Sequence, residues 1–554
     1  MTDATDITDT PDPGAAVRAS WTPMVGLFLA QILMSYNVAA LPVSLGGMVD
    51  TFEVAPTEVS TAIVTYGLVV AALVMVGAKI GQRVGWVVVF RAVVVLFALS
   101  ALTMILAPSV GWVILAQALA GASAAIIVPS LVALIAENYH GDQQATAIGS
   151  LGSARALAGV SAFLIGGTLA TYVGWRQVFV VVLVIAVAVF VLSFRLRSDR
   201  GNPEISIDVV AAVLIGAAIV MLTLGVNNLN SWGLLLAEPD APFTVLGVSP
   251  APVLIVLGIV LVQGFFLWTR RRTEAGRVPL VSLSVLGSGR ERAAVYAMFV
   301  VVALEAALNF TVPLYIQIVQ GRTAFDTSLA MLPFNLTVFV TAILVVRVYG
   351  RFSPRTIGMA CFGLTTVALT WLSFVVTNNW ETLPTILGLF VFGVGQGALV
   401  TLVFNVLVTA SPKELSGDVG SVRGTVQNLA SAVGTAVAGA LLVGILSANV
   451  ATALARTVEL PPELVAQVDL DNTNFISNER LQTVLAGTTA TPAQIDAAVA
   501  LNEEARLRAL RLGLLVLAGV SALAILPASR LPDYRPGELP ANIVADSGSA
   551  PSRT

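Results

Sequence analysis

The sequence predicts an all-α integral membrane protein with fourteen transmembrane helices. Of its 554 residues, 57% are hydrophobic and only 11% are charged, whereas soluble domains carry about 25% charged residues. Its mean hydropathy is +0.89, and it contains repeated apolar runs of about 20 residues, the length that crosses a bilayer. Lys and Arg residues concentrate in alternate loops, which is the pattern that orients membrane helices.

The apolar runs are separated by turn residues or charge clusters, such as RLRSDRGNPE after the sixth run. With the N-terminus in the cytoplasm, most Lys and Arg residues of the loops lie on the cytoplasmic side. The sequence therefore predicts a multi-pass protein of the cytoplasmic (inner) membrane with both termini in the cytoplasm. The fourteen helices are expected to begin near Met24, Val59, Trp86, Trp112, Thr146, Val178, Asp208, Val253, Ala293, Leu329, Thr356, Leu383, Val419 and Ala509.

The segments outside the runs predict the domain organisation. The first segment is acidic and Thr-rich, which is typical of a disordered tail. Thr491 as a cap, with Pro492 at the first helical position, predicts an amphipathic helix before the last span. The predicted units are disordered cytoplasmic tails at 1–20 and 529–554, a six-helix half at 21–200, two extra helices at 201–272, a cytoplasmic linker at 273–292, and a second six-helix half at 293–528 with a long outer loop at about 448–508.

Several function classes have no support in the sequence. A single cysteine, Cys361, excludes a disulfide framework, and a single histidine, His140, excludes a histidine-based metal site. The chain lacks the GxxxxGK[ST] loop that cradles phosphates, and no loop is large enough for a catalytic domain. Its basic residues follow topology and form no nucleic-acid-binding patch. We expect no enzyme activity, no cofactor, no metal and no nucleic-acid partner.

Helices 1–6 and 9–14 show weak internal similarity in the same order, as duplicated transporter halves do. AKIGQRVGW after helix 2 parallels VYGRFSPRT after helix 10, because both are short, basic inner loops that contain glycine. GASAAIIVPSLVALI in helix 4 parallels GVGQGALVTLVFNVLV in helix 12, and SARALAGVSAFLIGG in helix 5 parallels TVQNLASAVGTAVAG in helix 13. Two six-helix halves therefore flank helices 7 and 8.

These motifs resemble the fourteen-helix drug/proton antiporter branch of the major facilitator superfamily, over nearly all of the chain from helix 1 onward. GAKIGQRVG sits at the inner-loop motif, LAQALAGASAA at the helix 4 motif, and GVSAFLIGG at the antiporter motif of helix 5. VPLVSLSVL and PLYIQ are also similar to this branch. The resemblance implies the major facilitator fold, with two pseudo-symmetric six-helix halves, and proton-coupled transport by alternating access.

Four positions depart from the pattern of that branch. Gly81 and Leu33 stand where aspartates are usual, Gln117 stands at the helix 4 arginine, and Phe163 at the antiporter-motif proline. In that branch these positions are associated with gating and proton coupling. The resemblance therefore implies the fold, but it does not imply the usual mechanism. The resemblance assigns gating and helix packing to Gly77, Gly81, Arg83, Gly85, Gly159, Gly166 and Gly167.

Glu305 lies near the middle of helix 9, and Asn309 follows four residues later on the same face. The resemblance implies that this helix lines the central cavity. Because burial penalises the charged form of a carboxylate, Glu305 is the predicted proton carrier. The alternatives are a structural carboxylate held by a salt bridge and a hydrated carboxylate near a surface.

Arg155 lies in helix 5, where a charge at bilayer depth costs about 2.5–3.5 kcal/mol. In one hypothesis it takes part in proton coupling by pairing with Glu305, or it holds an anionic substrate group. In the other it snorkels or bonds helix carbonyls and serves packing only. Arg423, about one turn inside helix 13, is expected to snorkel at the interface. The neighbours of Arg155 on the helical wheel are small, which lets another helix approach: Gly152, Gly159, Ala162 and Gly166.

The predicted function is a secondary active transporter, a proton-coupled exporter of small amphipathic or lipophilic compounds, that works as a monomer among membrane lipids. The alternatives are a lipid or glycolipid exporter, an uncoupled facilitator, and a transport-inactive membrane scaffold or sensor. Other polar residues at span depth are expected either to line the substrate cavity or to bond neighbouring helices: Tyr36, Asn37, Gln117, Gln317, Asn335, Gln396, Asn405, Gln427 and Asn428. Seven residues are assigned to the substrate cavity: Asn309, Gln117, Tyr36, Asn37, Gln317, Gln396 and Asn405.

Overall fold

The structure, a computed structural model, is a bundle of long α-helices. It describes residues 20–139, 141–196, 200–229, 232–238, 241–244, 246–283, 289–345, 348, 351–409, 416–456, 482–483, 486 and 491–533. Within these residues, fourteen helices are long and apolar enough to cross a membrane, which confirms the predicted number. His140, much of the predicted outer loop and nearly all of the two predicted tails lie outside the described residues.

The spanning helices are numbered α1 to α14 along the chain. Odd-numbered helices begin on the face of the bundle where α1 begins, which we call the N-terminal face, and even-numbered helices begin on the opposite face. The bounds are α1 Thr22–Phe52, α2 Pro56–Val84, α3 Trp86–Ile105, α4 Val110–Asn138, α5 Gly141–Ser161, α6 Trp175–Leu192, α7 Val209–Asn227, α8 Pro250–Glu274, α9 Gly289–Leu314, α10 Ala324–Leu344, α11 Pro354–Val375, α12 Leu383–Thr409, α13 Ser416–Arg456 and α14 Pro492–Leu523.

Two of the helices change their pitch on the way to the opposite face. α5 continues as a π-helical turn at Ala162–Gly166 and ends with Gly167–Tyr172. α9 continues as a π-helical turn at Tyr315–Val319. Such turns occur often at functional sites, and both of these lie where the two halves of the protein meet.

The start of α14 follows its predicted capping residues. Pro492 occupies the first helical position after Thr491, and the Thr491 backbone N–H donates to Gln494 Oε1 at 2.9 Å. α13 continues to Arg456, and α14 is one uninterrupted helix from Pro492 into the membrane span. Helical backbone therefore extends into both ends of the segment that was predicted as an outer loop.

The two six-helix sets pack in the same pattern, as the internal repeat predicts. In the first set, α2 and α3 pack on α4, α3 packs on α6, and α1 packs on α5. In the second set, α10 and α11 pack on α12, α11 packs on α14, and α9 packs on α13. The halves meet along α2 with α13 and along α5 with α10.

The extra helices α7 and α8 form a pair at the periphery. α7 packs on α8 and also on α2 and α13, while few residues of α8 are buried. Asp208 precedes α7 with 2% of its side chain exposed. It accepts hydrogen bonds from the Ala211 N–H at 3.1 Å and the Trp268 indole at 3.2 Å, and it pairs with Arg272 Nε at 3.1 Å. This cluster ties the start of α7 to the end of α8.

We expect Asp208→Asn to lower the unfolding temperature of the detergent-purified protein. It leaves the Arg272 guanidinium, 18% exposed, without a counter-ion, and breaking one side of a buried pair costs about 3–5 kcal/mol. Glu274→Gln is the matched control, because its pair with Arg270 is mostly exposed and such pairs contribute about 0–1 kcal/mol. Equal unfolding temperatures for the two variants would contradict a stabilising role of the Asp208 cluster.

Candidate functional site

A cavity of about 830 Å³ lies between the two halves. Its wall is mostly apolar and comes from α1, α2, α4 and α5 of the first half and from α9, α10, α12 and α13 of the second. It reaches the N-terminal face, where Phe352 and Pro354 line it. Its volume falls within the range of about 300–1,000 Å³ that is usual for small-molecule sites.

An ion pair joins the two halves inside this cavity. The Arg155 guanidinium on α5 donates to Glu305 Oε2 on α9 at 2.9 Å. Their side chains are 24% and 20% exposed, and both residues line the cavity. Of the two hypotheses for Arg155, this geometry agrees with pairing to Glu305. The pair faces the cavity space, where a proton or a substrate can reach it.

The cavity face of α9 is the one that the sequence predicted. Glu305 and Asn309 both line the cavity, with Ala306 and Phe310 beside them. Asn309 Oδ1 is buried and has no hydrogen-bond partner among the described residues. Because buried polar atoms are normally hydrogen-bonded, this oxygen is an unsatisfied acceptor next to the cavity in this conformation.

On α1, the cavity face is not the one that the sequence predicted. Gln31 and Ser35 line the cavity and are bonded to each other at 2.9 Å. Asn37 is rotated by roughly 200° from Ser35 at 100° per residue. It is buried and donates to Gln117 Oε1 on α4 at 2.9 Å. The Tyr36 hydroxyl is also buried and has no hydrogen-bond partner in the described part of the chain.

Two further glutamines predicted for the cavity lie away from it and bond neighbouring helices. Gln396 Nε2 on α12 donates to the Val301 carbonyl of α9 at 2.8 Å. Gln317 reaches α1 at the opposite face. Of the seven polar residues assigned to the substrate cavity, Asn309 and Asn405 line it. The five that do not line it are Tyr36, Asn37, Gln117, Gln317 and Gln396.

Arg423 was expected at the membrane interface, but the structure places it on the cavity wall. α13 begins at Ser416, so Arg423 lies seven residues inside the helix, or about 10 Å at 1.5 Å per residue. Arg423 shares this wall with Arg155 of α5. The helix begins before the apolar run, and the true helix start is what shows how far Arg423 lies inside the helix. The cavity also includes other polar side chains: Tyr66, Asn335, Gln427, Asn428, Ser431 and Thr435.

The glycines of the inner-loop motif hold α2 close to its neighbours. A Cβ added at Gly77 would lie 2.7 Å from the Ala125 carbonyl oxygen of α4, and one at Gly81 would overlap the Trp86 ring. Gly85 has a φ of +107° between α2 and α3, a conformation that disfavours other residues. The Arg83 side chain is exposed on the N-terminal face.

The glycines of helix 5 serve contacts within and between the halves. A Cβ at Gly159 would lie 3.5 Å from Asn335 Oδ1 of α10, and one at Gly167 would overlap Ser328 Oγ. Both glycines therefore bring α5 against α10 of the other half. A Cβ at Gly166 would instead meet Val178 of α6 at 3.2 Å.

Side chains also connect the halves at each face. On the N-terminal face, Lys79 Nζ of α2 lies 3.6 Å from Asp418 Oδ1 of α13, and Asp418 Oδ2 accepts the Ser282 backbone N–H at 2.9 Å. On the opposite face, Thr171 Oγ1 accepts the Phe325 backbone N–H of α10 at 2.9 Å. The Thr171 contact and the hydrogen bonds of Gln317 join the halves at the closed end of the cavity.

Comparison with known proteins agrees with this architecture. A protein named as an actinorhodin transporter of Streptomyces coelicolor is 26% identical over 79% of this chain and 75% of its own length. The lincomycin resistance protein of Streptomyces lincolnensis is 27% identical over 64% of this chain and 70% of its own length.

The fold is shared with solved transporter structures. A bacterial homologue of the human lysosomal transporter Spinster, in an inward-facing and occupied conformation, superposes with a TM-score of 0.57 at 14% identity, covering 93% of this chain and 98% of that one. The peptide transporter POT in complex with sulfate gives a TM-score of 0.56 at 15% identity, covering 93% and 96%. The family model of the Major Facilitator Superfamily matches residues 27–435. With fourteen spanning helices in two repeated halves, this multi-pass membrane protein belongs to the Major Facilitator Superfamily of transporters.

Proposed function

We propose that this chain is a proton-coupled exporter of small amphipathic or lipophilic compounds that works by alternating access. The observation that carries the proposal is the Arg155–Glu305 pair, because it joins the two halves inside the cavity. A carboxylate in this place can exchange a proton with the cavity, and its charge state decides whether the pair holds α5 and α9 together.

The distribution of Lys and Arg supports a cytoplasmic N-terminal face, and the bacterial relatives support a place in the cytoplasmic membrane. In this orientation the cavity opens to the cytoplasm. A compound inside the cell can therefore enter it while the opposite end is closed, which is the loading state of an exporter. The moving bodies are the halves at 21–200 and 293–528, with the pair at 201–272 at the periphery of a monomer.

Proton binding to Glu305 removes its negative charge and leaves Arg155 without a counter-ion. Breaking one side of a fully buried pair costs about 3–5 kcal/mol, and contact with water in the cavity reduces that figure for this pair. The protonated protein therefore favours arrangements in which α5 and α9 no longer need to stay in contact. A proton gradient can shift the balance between two arrangements of the halves in this way.

The cavity wall suits compounds with an apolar body and a few polar groups. Tyr66, Phe163 and Phe310 contribute aromatic side chains to the wall, and the Asn309 amide can bond a polar group of the substrate after a rotation toward the cavity. Relatives named for actinorhodin, lincomycin and multidrug resistance support export of such compounds.

We expect Glu305→Gln to abolish substrate-induced proton flux in inverted membrane vesicles, because the amide cannot take up a proton. The panel contains lipophilic cations, amphipathic anions and neutral compounds, and a pH-sensitive dye reports the flux. Glu381→Gln, at an exposed position on the opposite face, is the matched control and should retain the wild-type flux.

Unchanged flux in Glu305→Gln would keep proton-coupled export and place the proton carrier elsewhere. Flux that is absent from a folded wild type, for every compound tested, would contradict the proposal. That result would favour the lipid exporter or the transport-inactive scaffold.

A second candidate function, an uncoupled facilitator of organic anions, is favoured by Arg423. Two guanidiniums and one carboxylate, Arg155, Arg423 and Glu305, line the cavity, which gives these three side chains a net charge of +1. A net positive charge among these three side chains attracts anions and repels cations. An inside-negative membrane potential drives an anion outward with about 2.3 kcal/mol per charge per 100 mV, so such export needs no proton.

For this second candidate, Arg423→Gln should slow anion transport in proteoliposomes by about tenfold, equivalent to about 1.4 kcal/mol. The drive is a potassium diffusion potential without a pH gradient, and the probe is a fluorescent aryl sulfonate. Arg322→Gln, at an exposed position on the opposite face, should transport like the wild type. Anion transport that needs a pH gradient, or that is equal in Arg423→Gln and the control, would reject the facilitator.

A further inference from the structure

Gln317 connects the two halves at the end of the cavity opposite to its opening. It lies in the π-helical turn of α9 and is 7% exposed. Its amide bonds two backbone groups of α1: Oε1 accepts the Gly46 N–H at 2.8 Å, and Nε2 donates to the Pro42 carbonyl at 2.9 Å. The oxygen and the nitrogen of this one amide therefore both bond α1 across the boundary between the halves.

The two backbone groups that Gln317 bonds belong to a single turn of α1. Residues 42 and 46 are i and i+4, so the Pro42 carbonyl and the Gly46 N–H are also the natural partners of a helical hydrogen bond. If Gln317 withdraws, these two groups still have each other as partners. Its release therefore avoids the cost of about 1–3 kcal/mol that a buried backbone group without a partner would add.

The close approach of Gln317 to α1 depends on glycine at position 46. A Cβ there would lie 3.0 Å from Gln317 Oε1 and 3.3 Å from Gln317 Cβ. These distances are tighter than normal packing, so a side chain at this position would push Gln317 away from the turn.

The π-helical turn that presents Gln317 is fixed from the second half. The Tyr315 hydroxyl donates to Asn378 Oδ1 at 2.6 Å, and Gln320 Nε2 donates to the Asn378 carbonyl at 2.8 Å. Asn378 lies between α11 and α12 and is itself bonded to Glu503 of α14. The second half therefore holds Gln317 in place, and the two hydrogen bonds of its side chain cross to α1 of the first half.

We propose that Gln317 is the gating residue of the opposite face. Its amide bonds the Pro42–Gly46 turn to close the exit of the cavity, and its withdrawal, after which the turn keeps its own hydrogen bond, allows the exit to open. The role of this gate in export rests on the proposed transport function, but the contact and its effect on the distance between the halves are independent of substrate and proton.

The test measures the distance between the halves at the opposite face by double electron–electron resonance. Spin labels are placed at Ala55→Cys and Glu381→Cys, two exposed positions on the opposite face in different halves, in a Cys361→Ser background, because Cys361 is the single native cysteine. We expect Gln317→Leu to shift the distance distribution toward longer values, without substrate and at constant pH. Gln396→Leu is the matched control, because its hydrogen bond to the Val301 carbonyl stays within the second half, and it should retain the wild-type distribution.

Gly46→Ala provides a second route to the same state with little risk of misfolding, since alanine is a better helix former than glycine. It should lengthen the same distance in the same direction as Gln317→Leu. Distributions of Gln317→Leu and Gly46→Ala that match the wild type would overturn the gate, whatever the vesicle assay shows. A lengthened distance with no transport in the wild type would keep the gate and reject the transport function.

Discussion

A charged side chain inside a membrane needs a partner of opposite charge, and the arrangement of the two halves depends on this constraint. Arg155 and Glu305 come from different halves of the chain, so separating the halves at this level breaks the ion pair. The small residues around Arg155 leave room for the guanidinium to leave α5 and reach α9. The ion pair that joins the halves therefore lies in the same cavity that a compound can enter.

The halves are joined at the two faces of the bundle by different chemistry. Lys79 and Asp418 use opposite charges near the N-terminal face, where water can solvate each of them after separation. Gln317 uses a neutral amide at the opposite face, and its partners on α1 keep a hydrogen bond with each other when it leaves. In both cases the groups retain a partner in the separated state. Such contacts can break repeatedly without leaving uncompensated polar atoms.

The sequence predicts the helices of this fold well because span length and loop charge are local properties. It also predicts the cavity face of α9, because Glu305 and Asn309 share one face by spacing alone. It does not locate the cavity face of α1, because packing against α4 sets the rotation of this helix and places Asn37 against Gln117. The position of Arg423 was missed because α13 begins in a polar segment that hydropathy does not detect. Contacts between halves, such as that of Gln317 with Pro42, join residues far apart in sequence and leave no local signal.

Two contacts between the halves come from the same helix, α9: one lies in the cavity and the other at its closed end. Glu305 and Gln317 are separated by residues 305 to 317 of α9 and its π-helical turn, or about 18 Å at 1.5 Å per residue. Pro313 lies between them, and its missing N–H and its ring allow the helix to bend there. Glu305 holds α9 to α5 and Gln317 holds it to α1, and both partners belong to the first half. Loss of the ion pair therefore lowers the work needed to move α9 away from that half. In this way the charge state in the cavity can act on the closed exit without any direct contact between the two residues.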